Sequence, residues 1–191
     1  MQGLGPQLWR EYTALVEKHH LPGKFVTLHA YEISFGPPYG HHNVYFRDRP
    51  GPLLVEGDQT LYEVWKALSA GEALTIPHHT GKMPFPIIWY PHDPSLRRNI
   101  EIYSAHGLSE MYNPSHPLSF ENSDFTNPST SVKAAQYAQD AWVEGLELST
   151  IASSDDHRAH PGQPHWGLAA VSSTGLTRAE IFTALSERRT Y

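Results

Sequence analysis

A carboxylate and a histidine stand two residues apart directly after an apolar run, and this spacing constrains the fold more than any other feature of the sequence. Residues 148–152 read Leu-Ser-Thr-Ile-Ala, which is typical of a β-strand, and the chain continues as Ser-Ser-Asp-Asp-His. Side chains two residues apart on an extended chain point to the same side. The pattern therefore predicts that Asp155 and His157 hold one metal ion from the end of a strand.

Three upstream β-rich runs end in the same way. They reach Glu32, the pair His78-His79, and His106. Ligands that follow successive strands favour a polynuclear metal site. The chain has thirteen histidines and no cysteine among 191 residues, so we expect oxygen and nitrogen ligation of Zn, Mn or Fe rather than thiolate zinc sites or disulfides.

The overall charge excludes some partners. A formal net charge of −6 argues against general nucleic-acid binding, which usually requires a basic face. A small phosphorylated substrate is compatible with this charge, because bound cations would make a pocket locally positive. No apolar run reaches the roughly 18–20 residues of a membrane span. The N-terminus lacks the order of a signal peptide, so we expect no membrane partner and a cytoplasmic location by default.

Strand and helix patterns alternate along the chain. This order predicts a single α/β domain over residues 1–191, built as a partial, distorted (β/α) barrel of TIM-like type with mainly parallel strands and with the ligands at the C-terminal strand ends. Segments 80–98 and 107–130 are predicted to be loops that cover the site. Helices are predicted at 6–20, after Thr60 up to Gly71, at 131–144 and after Thr177, and strands at 25–33, 43–46, 73–77, 99–103, 146–152 and 167–172.

Several short segments together resemble one known family. They are residues 22–27, 40–46, 76–79, 101–104, 107–110 and 154–157, with 176–178 and 188–191 near the end. In combination they resemble the PHP (polymerase and histidinol phosphatase) domain, a distorted α/β barrel that holds up to three metal ions. The similarity is to an uncharacterised branch of that superfamily, known as a domain of unknown function.

The resemblance implies roles for particular residues. Glu32 would bridge two metal ions, His78 and His106 would be the next ligands, and Asp155 with His157 would close the set. His79 would be the metal ligand in place of His78 if the match to the family were shifted by one residue. The implied chemistry is metal-assisted hydrolysis of a phosphoester, with Glu32 and Asp155 as the catalytic carboxylates.

Substrate contacts are expected from residues beside the ligand segments. His41 and Arg158 are predicted to contact the substrate, and Lys82 is a further cation that can meet a phosphate. Glu101 is expected to have no chemical role. His92 is expected to be a surface residue.

The sequence also departs from the family pattern. A PHP domain opens with a His-x-His pair, and no such pair precedes Glu32. We therefore expect a PHP-like core without its first section and without a C-terminal extension, holding fewer than three ions. The alternatives are a catalytically silent PHP-like domain or subunit of a split protein, and a metal-dependent amide or lactone hydrolase. An open sheet edge would favour a homo-oligomer, or else the helix at 6–20 would cover the edge.

Overall fold

The computed structural model describes residues 4–54, 59–83, 85, 87–123, 130–158, 160 and 162–191. Its helices are α1 (Pro6–Lys18), α2 (Leu61–Ala67), α3 (Ala138–Val143) and α4 (Arg178–Ser186), with short 3-10 turns at Phe120–Asn122 and Pro164–Trp166. Its strands are β1 (His29–Ser34), β2 (His41–Phe46), β3 (Ala73–His78), β4 (Asn99–Ser104), β5 (Gly107–Leu108) and β6 (Ser149–Ala152).

The first sheet has the order β1-β2-β3 and is antiparallel throughout. Residues 35–40 join β1 to β2, and a link this short can connect only antiparallel neighbours. Gly40 lies in this link at φ +61°, a conformation that favours glycine. The link closes a hairpin, with Ser34 opposite His41.

The second sheet has the order β5-β4-β6. β4 and β6 run parallel, with Ile100 opposite Thr150, whereas β5 turns back antiparallel to β4 after Ala105 and His106. The parallel pair brings the C-terminal ends of β4 and β6 to one edge of the molecule.

The predicted partial barrel with mainly parallel strands is wrong. Of the four pairings between named strands in the described ranges, three are antiparallel, and those strands form two separate three-stranded sheets. The prediction failed because β2 follows β1 without an intervening helix, and because the α2 connection returns β3 antiparallel to β2. The helix predicted at 131–144 is restricted to α3, and 167–172 forms only an isolated bridge between Val171 and Thr190.

The apolar core joins these elements. Trp9 of α1 packs edge-on against Tyr31 at 5.2 Å between ring centroids, so α1 covers one face of the first sheet. On its other face, Leu74 and Ile76 pack with Ile151 of β6 and Phe182 of α4. The two sheets and α4 therefore share one cluster. None of the helices in the described residues has the length and apolarity needed to cross a membrane.

Candidate metal centre

One edge of the first sheet collects three candidate metal ligands. His41 begins β2 and lies opposite His78, the last residue of β3. Glu32 lies in β1 two residues before Ser34, the partner of His41, and so shares that face. Tyr31 and Ile33 point to the opposite, core face. Because the sheet is antiparallel, the start of β2 meets the end of β3, and ligands are not confined to C-terminal strand ends.

The second sheet adds two candidate ligands at its C-terminal edge. His106 lies in the two-residue turn between β4 and β5, and Asp155 lies three residues beyond β6. The backbone N–H of Ala105 donates to the carbonyl of Ser154 at 3.0 Å, which ties the two loops together. Parallel pairing of β4 with β6 therefore places His106 beside Asp155.

Asp155 lies at the centre of three histidines. Its Oδ2 is 3.1 Å from His106 Nε2 and 3.4 Å from His78 Nδ1, and its Oδ1 is 3.4 Å from His157 Nε2. Glu32 Oε1 is 2.6 Å from His41 Nδ1 and 3.4 Å from His78 Nε2. His78 thus lies between the two carboxylates and connects the two sheets.

His79 also points into the cluster, although it follows His78 directly. Neighbouring side chains alternate between faces along a strand, so only one of the two would normally reach the site. His79 has φ +36°, which ends the extended conformation and turns its ring back. Its ring centroid lies 4.1 Å from that of His78, 4.7 Å from that of His41 and 5.1 Å from that of His106.

These side chains form two overlapping groups that can each hold a metal ion. One consists of Glu32, His41, His78 and His79, and the other of His79, His106 and Asp155, with the ligand atoms of each group within 4.8 Å of one another. Both nitrogens of His78 and Nδ1 of His79 are buried and make no well-aligned hydrogen bond with the described residues. Buried nitrogens without such bonds fit a metal, which would supply the missing interaction.

The electrostatics of the cluster favour one protonated histidine between two ionised carboxylates. Burial opposes a positive charge on His78, yet its contacts with Asp155 and Glu32 raise its pKa to about 10. Although burial opposes it, the contacts of Asp155 with His106 and His78 hold the pKa of Asp155 well below its usual range. Burial lowers the pKa of His79 well below the ordinary value. The positive charge of buried His78 holds the two carboxylates together, as a metal ion bound between them would.

A second layer of side chains surrounds the ligands. Glu101 of β4 is fully buried and accepts a hydrogen bond from the Ser153 hydroxyl, and burial raises its pKa to about 7. Lys82 is buried as well, with Nζ 2.7 Å from His106 Nδ1. From the sequence alone Glu101 was assigned no role, because no local pattern inside β4 indicates how deeply a residue is buried.

The structure brings most of the predicted site residues together. Glu32, His78, His106 and Asp155 all lie in the two groups, which confirms that the chain carries residues able to hold a divalent metal ion. His157 contacts Asp155 from the exposed rim, and its role as a ligand stays a prediction. His41, expected to contact substrate, is itself in a ligand group, and His79, named only as an alternative, belongs to both. Arg158 is exposed beside the rim, and its substrate contact stays a prediction.

Comparison with known proteins finds a similarity to one family model over part of the chain. A family model described as "Protein of unknown function (DUF3604)" matches residues 2–83, which include Glu32, His41, His78 and His79. No significant match was found among curated proteins or among solved structures.

Proposed function

We propose that this protein is a metal-dependent hydrolase of phosphoesters. The observation that carries the proposal is the pair of overlapping ligand groups, which share His79 and draw on both sheets. Two adjacent ligand groups of oxygen and nitrogen atoms suit a pair of Zn, Mn or Fe ions. The resemblance of the ligand order to the PHP domain supports the same reading.

The proposed roles follow from position. Glu32 and Asp155 supply the negative charge that holds the cations, and His78 fixes the distance between the two carboxylates. When bound, the metal ions would supply Lewis acidity and a nucleophilic water at neutral pH. Glu32 is 39% exposed in its side chain and His157 is 58% exposed, so the cluster opens to solvent between these two residues and can admit a substrate there.

The electrostatics favour an anionic substrate. Metal ions at both groups would outweigh the charges of Glu32 and Asp155, and Lys82 adds a buried cation at the same place. A phosphoester carries the charge that such a site stabilises, more strongly still as charge builds up on the phosphoryl oxygens. This favours phosphoesters over neutral amides and lactones.

The proposal is tested by metal content and by hydrolysis together. The purified chain is analysed for bound metals, then assayed with Mn, Zn or Fe on phosphomonoesters, phosphodiesters, an amide and a lactone. We expect near-stoichiometric metal and chelator-sensitive hydrolysis of a phosphoester. Metal binding with hydrolysis of only the amide or lactone would show that the substrate class is not phosphoesters. A chain that binds no metal and hydrolyses none of these would end the proposal.

A further inference from the structure

Lys82 is a buried cation in direct contact with a candidate ligand. It is 9% exposed and lies four residues beyond the end of β3. Its Nζ is 2.7 Å from Nδ1 of His106 and 5.4 Å from the centroid of the Phe85 ring. The ammonium group thus faces the ligand cluster.

The backbone that carries Lys82 is fixed. Its N–H donates to the His79 carbonyl at 3.0 Å, which forms a turn directly after the ligand pair. The N–H of Gly81 donates to Ser109 Oγ at 3.3 Å, and the Tyr137 hydroxyl donates to the Gly81 carbonyl at 3.3 Å. A Cβ on Gly81 would lie 2.3 Å from the Tyr137 ring, so the turn packs tightly. The long side chain of Lys82 is therefore the part that can move.

The hydrogen bond to His106 is incompatible with metal on that histidine. An ammonium group only donates, so His106 Nδ1 must accept, and the proton of a neutral ring lies on Nε2, 3.1 Å from Asp155 Oδ2. A metal between His106 and Asp155 would take Nε2 and leave the proton on Nδ1. Nδ1–H and the ammonium of Lys82 would then be two donors facing each other.

We infer that Lys82 leaves His106 when the metal binds and becomes the group that binds the phosphate of an anionic substrate. The inference rests on the proposed function and adds the residue that recognises the substrate. A buried ammonium that gives up one acceptor is stabilised by another. Phosphate oxygens are strong acceptors for a lysine ammonium, and a site of low polarity strengthens such a bond.

The test measures the binding of inorganic phosphate and of metal separately. Mn²⁺ is titrated into the metal-free chain, and phosphate into the Mn²⁺-loaded chain, for wild type, K82M, K82R and the exposed-lysine control K24M. For K82M we expect phosphate affinity to fall about tenfold or more, with Mn²⁺ affinity unchanged or tighter because an opposing donor is gone. K82R should keep phosphate affinity within about threefold, since it keeps the charge. K24M should match wild type.

Separate measurement of Mn²⁺ affinity and phosphate affinity distinguishes this role of Lys82 from a structural one. If Lys82 only supported the fold, K82M would lose Mn²⁺ and phosphate affinity together, and that result would overturn the inference. Unchanged phosphate affinity in K82M, or no phosphate binding by the loaded wild type, would also overturn it. K82Q provides the same comparison if K82M does not give a folded protein.

Hydrolysis assays distinguish failure of the inference about Lys82 from failure of the proposed function. Phosphate binding that depends on Lys82 in a chain without hydrolase activity would support the inference and end the proposed function. Phosphoester hydrolysis that persists with unchanged phosphate affinity in K82M would overturn the inference and support the proposed function.

Discussion

Asp155 contacts three histidines through the two oxygens of one carboxylate. Its backbone has φ +45°, and that of His79 has φ +36°, conformations that few residues other than glycine adopt. Strain of about 1–3 kcal/mol at such positions persists only where the surroundings enforce it, and it concentrates at functional sites. Both residues belong to the second ligand group, with His106 as its third member.

The charge of Asp155 is predicted to be essential for metal binding. D155N keeps the shape of the side chain and removes the charge that balances a cation, so we expect metal affinity to fall at least about tenfold. The measurement is calorimetric titration with Mn²⁺ or Zn²⁺. The matched control is D48N, because Asp48 is 52% exposed and pairs only loosely with Arg47 at 3.4 Å. Equal affinity in D155N and D48N would remove Asp155 from the ligand set.

His92 is predicted to weaken the fold at acid pH. It was expected at the surface, but it is partly buried and its Nδ1 accepts a hydrogen bond from Nε of the buried Arg97 at 3.2 Å. Burial and the charge of Arg97 lower the pKa of His92 to about 4. As pH falls below about 6.5, the unfolded chain therefore binds a proton at His92 before the folded chain does. The stability that neutral His92 provides above that pH is lost progressively down to about pH 4.

The expected size of this loss is modest. Between pH 7 and pH 5 we expect His92 to account for about 1 kcal/mol of the fall in unfolding free energy, after allowance for solvent screening. Urea unfolding at the two pH values measures it. His92→Gln should show a shallower fall than wild type, whereas the exposed control His19→Gln should not. Parallel pH dependence in all three proteins would contradict the prediction.

At the scale of elements, the starts of three of the four helices in the described residues were predicted from the sequence. Helices were predicted to begin after Thr60 and Thr177, and both threonines accept a hydrogen bond from the backbone N–H three residues later, at Glu63 and Glu180. Capping depends on a few adjacent residues, so its signal is complete in the local sequence. Strand direction lacks such a signal, which explains why five of the six strands in the described residues were located but their pairing was not predicted.

The cap at Thr60 is predicted to stabilise the whole domain. T60A removes the side-chain acceptor of the Glu63 N–H and one of the two Thr60 donors to the Glu63 carboxylate, so we expect a loss of about 1 kcal/mol. The control is T13A within α1, where the hydroxyl donates only to the Arg10 carbonyl and caps nothing. Thermal unfolding of the two variants gives the comparison, and an equal effect would show that the cap contributes little.

At the scale of the whole molecule, Glu17 joins distant parts of the chain. Its Oε1 accepts from Nε2 of the fully buried His29 at 2.6 Å and from Nη1 of Arg178 at 2.7 Å. Arg178 also donates to the Thr27 carbonyl at 2.7 Å. One carboxylate thus connects α1, β1 and α4, elements from both ends of the described chain.

Loss of the Glu17 charge is predicted to loosen this junction. For E17Q we expect the free energy of unfolding to fall by about 1–2 kcal/mol, a value kept low because Glu17 is 55% exposed and partly screened. E11Q is the matched control in the same helix, where the side chain accepts only from Gln7 at 3.0 Å. Urea unfolding should separate the two variants, and coincident curves would refute the junction's importance.

Self-association also stays a prediction for the whole molecule. Trp9 and Val16 of α1 are buried, so the helix covers one sheet face, but Leu8 and Leu15 are 52% and 54% exposed. Because a helix covers side chains without pairing the backbone of an edge strand such as β1, we expect oligomers at micromolar concentration. Light scattering decides it, and a monodisperse monomer would contradict the expectation.

The sequence by itself determined the residue types of the site and the elements that carry them. Glu32, His78, His106 and Asp155 were found because each is a polar residue in or just beyond a β-rich run, a pattern local to a few residues. Tertiary structure decided the rest. The antiparallel return of β2 and β3 brought His41 into the candidate site, the turn at His79 added a candidate ligand, and burial placed Glu101 and Lys82 beside it. These depend on strand direction and depth, which arise from contacts between residues far apart in the chain and leave no local signal.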